Sequence, residues 1–91
     1  MPYFYLAEVY EALDYREKAA ELYRKALRLD PGWREPKVRL AKILCDFGRN
    51  REALKLLEKA YRSNPKDPLV WGELALNHLR LGETEKALPL I

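Results

Sequence analysis

Cys45 and His78 are the residues whose types could supply a nucleophile and a base in this chain. A thiol reacts as its thiolate, with a base in hydrogen-bond reach and usually a third group orienting that base. His78 lies at helical spacing from Leu74 and Leu81, on a stripe directed at a partner helix, so it reads as a core histidine. Cys45 reads as a small, half-buried hydrophobe. As the sole cysteine it excludes an internal disulfide and any multi-cysteine metal site. The chain has no glycine-rich phosphate loop, paired metal ligands, nucleophile elbow or HExxH pattern. The expectation is a non-enzyme with no cofactor, no metal and no small-molecule substrate.

Six tyrosines among 17 basic residues raise a different chemistry, since stacking platforms beside cationic tracks hold single-stranded nucleic acid. Helical spacing places Tyr3, Tyr10, Tyr23 and Tyr61 between helices and leaves Tyr5 and Tyr15 available. The basic residues gather in two stretches, Arg16, Lys18, Arg24, Lys25 and Arg28, then Arg51, Lys55, Lys59 and Arg62. Glu21 with Lys25 and Glu58 with Arg62 stand at i,i+4, the arrangement of a solvated helix face. A nucleic-acid-associated protein using this basic face is the alternative function, and its binding would weaken steeply with salt.

The elements that position these residues follow from an internal repeat. Stepping by 34 residues aligns Leu6/Leu40/Leu74, Ala7/Ala41/Ala75, Asp14/Gly48/Gly82, Ala19/Ala53/Ala87 and Pro31/Pro65 without insertion. Hydrophobic residues form 48% of the chain and charged residues 34%, too much of both for disorder. Glutamine is absent while Glu, Lys and Arg abound, a balance thermophile proteins often show. The first helix is expected over 2–13 with Leu6, Ala7, Tyr10 and Leu13 inside, and the second over 16–29. Asp14 is expected to accept from the free N–H groups of the second helix, and Asn50 to cap the fourth. Lys37 should lay its stem along apolar surface with its ammonium outside. Pro89 should loosen the last helix locally.

Helix–turn–helix units of 34 residues, with small residues at close-packing points and Pro after the second helix, resemble the tetratricopeptide repeat family. The resemblance covers the whole chain and implies an all-α, right-handed α-solenoid of antiparallel helix pairs. About two and a half repeats form one domain, 1–33, 34–67 and 68–91, the last truncated. It also implies a protein-interaction scaffold holding a peptide or helix of a partner in the concave groove built by first helices. The family's contact positions fall on Phe4, Tyr5, Glu8 and Glu11, then Glu35, Val38, Arg39, Lys42, Cys45 and Asp46, then Leu69, Gly72, Glu73, Leu76, Leu79 and Arg80. Charges there balance at −2, leaving about +5 elsewhere, which suits an apolar ligand carrying basic residues. The subclass that clamps the carboxylate of chaperone tails has its key positions on Phe4, Glu8, Arg39, Leu69 and Glu73, where none matches.

No apolar run is long enough to span a bilayer, and the first ten residues lack the pattern of a signal peptide. The expectation is no membrane insertion and a cytoplasmic location. Trp71, Leu74, Leu81 and Leu88 lack a polar covering helix in this sequence, so a homodimer through the C-terminal end is expected.

Overall fold

A computed structural model describes residues 2–87. Its helices are α1 (Pro2–Ala12), α2 (Arg16–Leu29), α3 (Arg34–Asp46), α4 (Asn50–Ser63), α5 (Pro68–Arg80) and α6 (Thr84–Ala87). Each packs on the next in chain order, and α3 also touches α5. The described residues thus form an all-α array with α1, α3 and α5 as first helices and α2, α4 and α6 as second helices. None of these helices is long and apolar enough to cross a membrane.

Small residues set the spacing between axes. Ala7, Ala41 and Ala75 occupy one repeat position on the first helices, Ala19 and Ala53 another on the second helices, and all five are buried. Leu40, Leu44, Leu54, Leu57 and Leu74 fill the layers between them. Tyr23 is wholly buried among the aromatic rings of the first repeat, beside Phe4, whose ring in turn lies 4.6 Å from that of Trp33.

The three turns between helices of a pair are built alike. Asp14, Gly48 and Gly82 have φ of 66°, 77° and 74°, a left-handed conformation. The following residue in each case donates its N–H to the carbonyl five positions back, Tyr15 to Tyr10, Arg49 to Leu44 and Glu83 to His78, at 2.7–2.8 Å. This closes each first helix in the manner that usually takes glycine. Asp14 therefore terminates α1 rather than capping α2: its carboxylate meets the Arg16 guanidinium at 3.1 Å, and α2 has no side-chain cap. Asn50 likewise does not cap α4; it is the first residue of that helix, and its Oδ1 is buried without a partner. Asp14→Gly is expected to stabilise the chain by up to about 1 kcal/mol, because relief of left-handed strain exceeds the loss of one exposed ion pair. An unchanged or lower melting temperature would contradict that assignment.

The inner stripe of α1 differs from the one read in the sequence. Leu6 is 45% exposed and Val9 54%, whereas their repeat equivalents Leu40 and Ile43 are 2% and 1% exposed. On α3 that face is covered by α2, and among the described residues nothing stands in the same place against α1. Leu13 is exposed like its repeat equivalent Phe47, and Phe4 and Ala7 take the inner positions. At the other end Leu74 is buried, Leu81 half-buried and Trp71 exposed. Leu88 and Pro89, and with them the expected C-terminal dimer contact, lie outside the described residues. Lys37 is buried, yet its ammonium is not among the buried unpartnered atoms, so the stem is covered while the charge reaches solvent.

Candidate protein-binding surface

The first helices bring most of the expected groove residues onto one face. Stepping by one repeat places Glu8, Lys42 and Leu76 in one row and Tyr5, Arg39 and Glu73 in the next. Side chains in neighbouring rows join across repeats. The Arg39 guanidinium lies 3.3 Å from the Glu8 carboxylate and 3.4 Å from that of Glu11, and the Lys42 ammonium lies 3.5 Å from Glu73. Glu11 also accepts the Tyr23 hydroxyl at 2.6 Å. Burial, and after it the Glu11 carboxylate, push the Tyr23 phenol well above its usual pKa, so the hydroxyl stays a donor. Glu35 is engaged by Arg34 at 2.8 Å, and Asp46 lies 3.8 Å from Arg16. The groove carboxylates are therefore largely matched by guanidinium and ammonium groups, and each exposed pair contributes only about 0–1 kcal/mol.

Two of the expected contact residues are core instead. Phe4 is 7% and Val38 3% exposed; the Trp33 ring packs on the first, and the second belongs to the buried cluster. Val38 still floors a cleft of about 260 Å³ with Arg39, Lys42 and Leu69 around it. Tyr5 stands exposed in the first repeat. On α5, Leu69, Leu76 and Leu79 are exposed along one stripe, with Gly72 between them. A Cβ built on Gly72 would meet nothing within 4 Å, so the stripe carries an open notch. Arg80 ends the stripe with no ion-pair partner among the described residues.

The chemistry candidates do not converge. The Cys45 thiol receives the Asn77 amide at 3.2 Å, while His78 Nδ1 lies 3.1 Å from Glu83. Asn77 is fully buried where Ile43 sits one repeat earlier, and its Oδ1 has no partner. No group of His, Cys, Asp and Glu that could hold a metal occurs among the described residues.

Asp67 is a structural residue that the sequence reading passed over, although Asp before Pro at a helix start is a recognisable cap signal. Its carboxylate accepts from the Leu69 N–H at 3.1 Å at the start of α5, and receives the Arg34 guanidinium at 3.0 and 2.8 Å. The Arg34 hydrogen bonds hold this carboxyl below its ordinary pKa, against the opposing effect of burial. A carboxylate whose folded pKa is depressed contributes stability above its unfolded value near 4, and loses it as pH falls through the folded value. Acidification from pH 7 to about 3 is therefore expected to lower the melting temperature less in Asp67→Asn than in the wild type. Equal falls in both proteins would contradict this role.

The tetratricopeptide repeat pattern matches residues 16–72 and again 46–91. Among solved structures, a MamA chain labelled AMB-1 superposes with a TM-score of 0.86 at 25% identity, covering 97% of this chain and 48% of that one. A MamA chain labelled MSR-1 gives a TM-score of 0.84 at 25% identity, covering 97% and 51%. This chain thus spans about half the length of those MamA chains. A search of curated proteins found no match. Three left-handed turns in one register, alanines at the close-packing points and a family pattern over more than half of the sequence make this chain a member of the tetratricopeptide repeat family, an α-solenoid scaffold for protein–protein interaction.

Proposed function

We propose that the chain holds a segment of a partner protein on the face formed by α1, α3 and α5. The observation that carries this reading is the exposed stripe Leu69, Leu76 and Leu79 with its notch at Gly72. Apolar side chains left open in line suit the apolar anchors of a helix or extended peptide. Basic residues in that partner would find a moderate attraction only. Glu8 and Glu11 outnumber Arg39, but Lys42 already meets Glu73. Apolar contact therefore supplies most of the affinity, with Tyr5 as a further anchor and Arg80 orienting the partner's acidic end.

Leu76→Lys combined with Leu79→Glu tests this surface without touching the cross-repeat ion pairs. Affinity capture with the intact protein is expected to recover a partner with the wild type and to lose at least about tenfold of it with the double variant, the scale of one or two buried apolar anchors. Equal recovery by both proteins, with unchanged helical content, would contradict the proposal.

A further inference from the structure

The opposite side of the molecule carries a surface of different character. Between α2 and α4, above α3, runs a furrow of about 490 Å³. Its floor is aliphatic: Leu40 and Leu44 of α3 lie beneath, with Leu27 and Leu56 half-buried on the two walls. Its rim is cationic. Arg24 is matched by Glu52 across the furrow at 3.8 Å, whereas Arg28, Lys37, Lys55 and Lys59 have no ion-pair partner within 4.0 Å among the described residues. The groove on the other face has most of its charges paired, so the unmatched charge of this region lies here.

We propose that this furrow is a second docking surface, for an acidic amphipathic helix of a partner protein. Unmatched cations on both walls attract carboxylates, and an aliphatic floor takes the leucine-like anchors of one helix face. Length agrees, since α2 and α4 have 14 residues each and run about 20 Å, the span of roughly 14 helical residues. The lining holds no aromatic ring on which a base could stack, which favours a protein segment over nucleic acid. The surface is separate from that of α1, α3 and α5, so each can fail without the other.

Fluorescence anisotropy on the full chain tests the proposal. The probe is a labelled peptide of about 14 residues with Leu at i, i+3, i+4 and i+7 and Glu elsewhere. The peptide is expected to bind, to weaken severalfold between about 50 and 200 mM salt, and to lose at least about tenfold in affinity against Arg28→Glu with Lys59→Glu. A scrambled peptide of the same composition is expected to bind about tenfold more weakly, because it lacks the apolar stripe. Leu76→Lys with Leu79→Glu is expected to leave the affinity unchanged. The proposal is overturned by absence of binding at low salt, by equal binding of the scrambled peptide, or by an oligothymidylate that binds as tightly as the acidic helix. Loss of binding in the Leu76/Leu79 variant would equally overturn it. Circular dichroism of each variant confirms that the fold is retained, since all four substituted side chains are exposed.

Discussion

Tyr23→Ala is expected to cost about 3–5 kcal/mol, the range for removing a large buried side chain. Tyr23 is wholly buried, and its ring lies 5.8 Å from that of Phe4. Its hydroxyl donates to Glu11 of α1, and Glu11 in turn receives Arg39 of α3. One side chain of α2 thereby joins three helices. A domain of this size has roughly 5–15 kcal/mol of total stability, so the variant should lose a large share of it. Tyr23→Phe separates the two contributions: it keeps the ring and leaves Glu11 with Arg39, for an expected loss of about 1–2 kcal/mol. Urea titration followed by circular dichroism measures both. A Tyr23→Ala midpoint equal to that of wild type would show that the aromatic layer does not hold the first repeat.

Ala41→Leu is expected to destabilise by about 1–3 kcal/mol through overpacking. Ala41 is almost completely buried, as is Ala7 one repeat earlier, and a larger side chain there would push the helix axes apart. Ala12→Leu at the exposed end of α1 serves as the control, with an expected change within about 0.5 kcal/mol. Thermal melts of the two variants should therefore separate clearly. Coincident melts would mean that the alanine positions do not set the helix spacing.

Much of this architecture was legible because each position appears in the sequence up to three times at a fixed step. The alanines, the Pro residues after second helices and the turn positions 14, 48 and 82 define helix pairs before any contact is known. The same step could have corrected the reading of Asp14, since both of its equivalents, Gly48 and Gly82, are glycines in the left-handed conformation. The exposure of Leu6 and Val9 was hidden for the converse reason: a repeat pattern assigns a face but not the neighbour that covers it. Burial of Phe4 depends on the Trp33 ring, which stands just before α3 and outside the repeat's helical pattern. The joining of Glu8 and Glu11 with Arg39, and of Lys42 with Glu73, depends on the stagger between first helices. Periodicity carries no record of that stagger. The cationic second helices were visible as charge runs, but the aliphatic floor between them comes from α3 and exists only once the helices pack.

Photo-crosslinking from single positions on the intact protein tests the binding surface most directly. A photo-reactive residue placed at Leu76 faces the exposed stripe of α5, while one placed at exposed Leu29 lies at the end of α2, away from it. One predominant protein adduct is expected from position 76, absent from position 29 and abolished when Leu69 and Leu79 are changed to charged residues. Adducts of equal yield from both positions, or none from position 76 in the presence of a bound partner, would contradict it.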